Sequence, residues 1–172
     1  MDGTDFRRRE PFPFCYGVNS KWFTHKFKSA GFRYEVGTNI KIGNICWFNG
    51  PFPCVMMNDL RIFRLKLKTL LRPEEKVLAD RGYRGDSKIL TEDDAKNKKH
   101  RRAIALISAR HETVNRRLKQ WNSLNEVWRN EDNKHGIVFR SIITITELEI
   151  RYGRPLFHVN GYEDQVLGPL KM

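Results

Sequence analysis

The stretch KVLADRGYRG, Lys76 to Gly85, constrains the fold most. A short apolar run reaches Asp80, and the chain turns at once through Gly-Tyr-Arg-Gly. This places a carboxylate at the end of a buried strand, with glycines and a guanidinium directly after it. Mixed α/β domains gather polar groups at strand ends and on adjoining helices, so the elements around Asp80 bear on what it can do.

Upstream, GFRYEVGTNI and NICWFNG are aromatic and β-branched, and the spacing predicts a hairpin of strands over Phe32 to Ile40 and Asn44 to Phe48. GPFPC reads as a loop. Asp59 is expected to cap a helix carrying Leu60, Phe63, Leu67 and Leu70 at helical spacing until Pro73. KVLAD is then a short strand. A polar connection leads to a helix from near Ala109 with Val114, Leu118 and Trp121 on one face. GIVFRSIITITELEI is β-rich in composition but long and unbroken, and reads as a buried helix. Residues 1–159 form the domain, and residues 160–172, punctuated by Gly and Pro, form a loose tail.

Charge narrows the partners. The net charge of +12 is concentrated in KNKKHRRAIALISARHETVNRRLK from Lys96, in Arg7 to Arg9, and between Arg61 and Lys68. A polyphosphate loses counterions to such a surface, which makes nucleic acid the natural partner, with a merely solvated basic surface as the alternative, and Lys-Lys-His-Arg-Arg a candidate nuclear import patch. No apolar run approaches a membrane span, and the N-terminus lacks the apolar core of a secretion signal, so the expected place is the nucleus in a eukaryote or otherwise the cytoplasm. Cys15, Cys46 and Cys54 form no CxxC pair and leave one unpaired, which fits buried thiols in a reducing compartment better than a zinc site with His25. His25 and His111 form no nucleophile and base pattern with the cysteines, and no Walker-type phosphate loop occurs.

Asp80 has two candidate acidic companions. Glu112 lies on the helix from Ala109, with Arg116 and Lys119 on its face at i+4 and i+7. Carboxylates of this kind hold hard divalent cations, while neighbouring cations meet phosphates. The alternative for Glu112 is an ordinary surface ion pair. Asp2 or Asp5 of MDGTDF completes the set, with Gly3 letting the backbone bend after the acid. Arg84 is expected to touch a phosphate or to pair with a nearby acid, and Tyr83 to pack.

DGTDF, KWFTHKFKSAGFRYEVGTNIKIGNICWFNGPFPC, DLRIFR, LADRGYRG, ARHETVNRRLKQW and KHGIVFRSIITITELEI, in this order, resemble the DDE-superfamily endonuclease domain of Harbinger and insertion-sequence-like transposases. The resemblance implies an RNase H-like fold, a mixed central sheet flanked by helices. It implies a triad of Asp2, Asp80 and Glu112 binding two Mg²⁺ or Mn²⁺ ions, and cutting and joining of DNA. It further implies DNA contacts from Arg84, Arg110, Arg116, Arg117 and Lys119, a possible homo-oligomer, and a possible separate DNA-binding transposon protein as partner. Family members usually carry a DNA-binding region and a first core strand before Asp-Gly-Thr. Here Met1 directly precedes Asp2, so the first strand is expected to be truncated at the N-terminus and Asp2 to sit on a fraying end. A metal-dependent endonuclease domain and a catalytically inactive remnant that binds DNA or protein are the two readings.

Overall fold

The computed structural model describes residues 1–10 and 21–159. Strand β1 (Asp2–Arg7) pairs along all six residues with β3 (Ser29–Thr38), from Asp2 opposite Val36 to Arg7 opposite Gly31. The short β2 (Phe23–Thr24) and the longer β4 (Ile45–Pro53) also pair with β3, and every pairing in this sheet is antiparallel. The expected hairpin is therefore present as β3 and β4, a few residues longer at its outer ends.

Two expectations about the sheet are corrected. The first strand is not nearly missing: it runs C-terminal to Asp2, where Thr4 and Phe6 alternate inward within DGTDFR. The sheet is also not one mixed sheet among the described residues. The only parallel strand pairing there joins β5 (Val77–Leu78) to β6 (Ile89–Leu90), in a separate two-stranded ribbon. With two residues, β5 offers little edge to β1, and their link is the Met1 nitrogen donating to the Leu78 carbonyl at 2.8 Å.

After β4, the helix α1 (Asp59–Leu65) is capped by Asn58, whose side chain accepts from the Arg61 amide at 2.8 Å. Asp59 is thus the first helical residue and not the cap, which leaves its carboxylate free to face the sheet. The chain breaks at Lys66 before a single turn, α2 (Leu67–Leu70), so the expected continuous helix is two pieces. The next helix, α3 (Lys98–Leu118), begins eleven residues earlier than the expected start near Ala109. Asn97 caps it, and His100, Ala103, Ile104, Ile107, His111, Val114 and Leu118 form one buried stripe through its basic beginning. Trp121 lies beyond the helix and is 40% exposed, so it is not part of that face. A turn, α4 (Asn122–Asn125), leads to α5 (Asp132–Tyr152), which is the helix expected from GIVFRSIITITELEI.

The two-residue period of the strands sorts side chains onto two faces. Phe6, Phe32, Tyr34 and Val36 pack with Val114 and Leu118 of α3 and with Phe139, Ile142, Ile143 and Ile150 of α5. Tyr34 and Phe139 stack at 3.9 Å between ring centroids, and removing such a ring costs roughly 3–5 kcal/mol. The alternate residues Arg33 and Glu35 face α1 and the turn after Asp80, where Phe63, Ala79 and Tyr83 make a smaller core. The sheet is thereby covered on both sides. Cys54 is buried as expected, with its thiol pushed up to about 12 by burial, whereas Cys46 is exposed. Cys15 and the tail from Asn160 lie outside the described residues.

Candidate active site

Asp2, Asp80 and Glu112 line one cavity of about 340 Å³. Each arrives on a different element. Asp2 opens β1 on the face turned toward α3. Asp80 follows β5 and caps the 3-10 turn Arg81–Tyr83, its Oδ1 accepting from the Gly82 amide at 2.8 Å. Glu112 is exposed on α3. Three residues on, Asn115 donates from Nδ2 to Asp2 Oδ2 at 2.9 Å, so the helix that carries Glu112 also holds Asp2.

His111 fastens the same region from beneath. It is 4% exposed, and its Nε2 lies 3.0 Å from the Val36 carbonyl, opposite Asp2 in the strand register. Burial pulls its imidazole down to about 3, so it stays neutral and donates to that carbonyl. It is buried in the core and also lines the cavity.

Of the two candidate acids at the N-terminus, Asp2 lines the cavity. Asp5 is 3% exposed and its oxygens are engaged, by Arg33 at 2.8 and 3.0 Å and by the Thr24 hydroxyl at 2.6 Å. Burial raises the Asp2 carboxyl above its usual range, and Asp80 and Asp59 push in the same direction. Asp59 is raised by burial as well, with Asp5 and Asp80 adding to it. Its Oδ1 has no hydrogen bond, and the Arg33 Nη1 is 3.7 Å away.

The cations divide sharply. Lys119 lies one turn beyond Asn115, and its ammonium is lowered by burial first and by nearby Lys26 second. The Lys26 amide donates to Thr24 Oγ1 at 3.2 Å, and that hydroxyl in turn holds Asp5. Two cations therefore stand beside the acids. Arg116 is exposed and makes no hydrogen bond or ion pair among the described residues. Arg117 is half-buried, donating from Nη1 to the Arg154 carbonyl at 2.5 Å. Arg84 takes the ion pair, with Asp93. Arg110 does not fit a DNA contact: it is 1% exposed, and its guanidinium donates to the carbonyls of Asn39 and Ile40 in the β3–β4 turn.

Sequence reasoning missed Asn115, Asp59 and Lys26. Asn115 was findable, since it lies at i+3 from Glu112 on the same helical face. Asp59 was hidden by its resemblance to a helix cap, and nothing local marks Lys26.

The strand ends and one helix of this α/β domain bring three separated acids to the lining of one cavity, with Lys119 and Lys26 nearby. The chain matches the family model for the DDE superfamily endonuclease over residues 1–146 and belongs to that family. No curated protein and no solved structure matches it. Membership points to nuclease chemistry of the transposase type. No helix among the described residues is long and apolar enough to cross a membrane.

Proposed function

We propose that this domain cuts DNA strands, and joins them when a 3′-hydroxyl is the attacking group, with divalent cations held by Asp2, Asp80 and Glu112. The observation that carries the reading is the common cavity, which residues 2, 80 and 112 line from three different elements. The donor set fits the group. All three are carboxylates, the ligands that Mg²⁺ and Mn²⁺ prefer. Among the described residues no three such side chains stand close enough together to hold one metal ion, so the acids line the cavity without closing on one point.

Bound there, the cations would activate the attacking oxygen and stabilise the leaving one. The residues of the chain supply position. Asn115 fixes Asp2, the Gly82 amide fixes Asp80, and α3 carries Glu112 to the open side. Lys119, Lys26 and Arg116 bind the phosphates flanking the target bond. Burial that raises the Asp2 carboxyl makes a cation the partner that restores its charged form.

The test is nicking of supercoiled plasmid by the purified chain with Mg²⁺ or Mn²⁺ at low salt, beside Asp80→Asn and Glu112→Gln. Nicking that both substitutions abolish, with DNA binding retained, is the expected result. Binding without cation-dependent nicking by the native chain would leave the inactive DNA-binding remnant as the better reading.

A further inference from the structure

The two strands of the β5–β6 ribbon run parallel, Val77 beside Ile89 and Leu78 beside Leu90, so the turns that follow them leave the ribbon at the same end. One is the turn that Asp80 caps, which carries Arg81 and leads into Arg84. The other is the 3-10 turn Glu92–Asp94, the only run of three consecutive acids in the chain. The register therefore sets an acidic turn beside the cations that directly follow Asp80.

The three acids do different things. Asp94 closes a capping box with Thr91, its Oδ2 accepting from the Thr91 amide at 2.7 Å and from the hydroxyl at 3.0 Å. Glu92 and Asp93 take no part in that cap and meet the arginines instead. Arg81 Nη2 lies 3.6 Å from Glu92 Oε2 and 3.4 Å from Asp93 Oδ1, and Arg84 pairs with the other oxygen of Asp93. All four side chains are open to water, the arginines 64% and 62% exposed and the acids 48% and 44%. Two residues beyond Arg84, Asp86 shows the contrast: it binds Arg64 at 3.0 Å and Lys68 at 2.8 Å, and its side chain is only 2% exposed. That set is built into the fold. Exposed pairs such as those of Arg81 and Arg84 add little to stability and are exchanged at little cost, and a phosphate fits the guanidinium fork as well as a carboxylate does.

We propose that Arg81 and Arg84 are a phosphate-binding pair for the DNA strand entering the cavity, and that Glu92 and Asp93 occupy this pair in the free chain as an internal competitor. The inference rests on the reading of the cavity as a DNA-cutting site, whose lining includes Leu78, Ala79 and Asp80 at this same end of the ribbon. The strand displaces two carboxylates as it docks beside Asp80, so the acidic turn sets how tightly DNA must be offered before it engages.

Fluorescence anisotropy with a labelled short duplex, without divalent cation so that no strand is cut, tests this. Glu92→Gln with Asp93→Asn should bind roughly fivefold tighter than the native chain, and Asp93→Asn alone should give most of the gain, because both arginines share Asp93. The Thr91–Asp94 cap stays in place in these variants, and an unaltered urea midpoint checks the fold. Glu74→Gln with Glu126→Gln removes the same charge from exposed acids outside any ion pair among the described residues, and should change affinity less than about twofold. In a chain that already carries Arg81→Gln and Arg84→Gln, the changes at Glu92 and Asp93 should have no effect. No gain, an equal gain from the Glu74 and Glu126 changes, a gain that survives loss of the arginines, or no DNA binding by any of these chains would overturn the proposal. Nicking is read separately: a chain that nicks but shows no gain loses this proposal alone, and one that shows the gain but never nicks with Mg²⁺ or Mn²⁺ loses only the nuclease reading.

Discussion

Gly3 shows how closely the acids are packed. A Cβ placed there would lie 2.3 Å from Asp59 Oδ1, closer than any real Cβ contact, so a side chain at position 3 must displace the Asp59 carboxylate. Gly3→Ala should therefore lower stability to urea by about 1–3 kcal/mol. Adding Asp59→Ala should recover most of that loss, and a double variant no more stable than Gly3→Ala would mean that the strain lies elsewhere. The sequence reading gave Gly3 a different purpose, a bend after the acid. In the structure it sits mid-strand opposite Glu35 and is small because Asp59 approaches it. Asp80 and Glu112 were legible because their local patterns, a strand end and a cation-flanked helical face, are written in adjacent residues. Asp59 was not, because its closeness to the cavity depends on a strand more than fifty positions before it.

At the scale of the element, α3 carries two kinds of arginine that look alike in the sequence. Arg110 and Arg116 both lie in the basic run, yet one is 1% exposed and bonded to the β3–β4 turn while the other faces solvent. Arg110→Gln should cost about 1.5–3 kcal/mol in urea unfolding and leave the salt dependence of DNA binding unchanged. Arg116→Gln and Lys119→Gln should each leave stability intact and reduce the slope of log affinity against log salt by about 0.9. Fluorescence anisotropy across a salt series reads the second effect, and a normal slope with Arg116→Gln would remove that residue from the interface. Periodicity identified the end of α3, and the long unbroken run from Gly136 to Ile150 gave most of α5. Periodicity missed the first turns of α3, because the buried stripe there is thin and the charges around it imitate a loop. The first strand was misjudged for a related reason: its inward residues lie after the acid, interrupted by Asp5, whose charge is cancelled by an arginine from the next strand.

For the whole molecule, buried titratable groups set the response to pH. Burial holds His135 down to about 4 and His111 to about 3, below the ordinary 6.5. The unfolded chain therefore binds protons that the folded chain refuses, and stability falls as pH drops below about 6.5. Glu35 works in the opposite sense. Burial raises it to about 7 from 4.5, so its contribution is full below about 4.5 and is lost as pH rises through 7. Asp2 and Asp59, raised by burial as well, act in the same sense as Glu35, so the histidine share of the pH dependence is read by substitution. His135→Gln should make the slope of stability against pH between 5 and 7 less positive, by about 2 kcal/mol over that span in urea unfolding, and an unchanged slope would show that His135 titrates normally.

The bond from Asn115 to Asp2 joins positions 113 apart in the chain. On a ribosome adding about 5–20 residues per second, Asp2 emerges roughly 6–20 s before the helix that fixes it. For that interval the nascent chain already displays basic residues such as Arg7 to Arg9 to any polyphosphate nearby, including the RNA of the machine making it, but it does not yet possess an assembled acidic cavity. A polypeptide built this way displays its cationic surface early and completes its acidic cavity late.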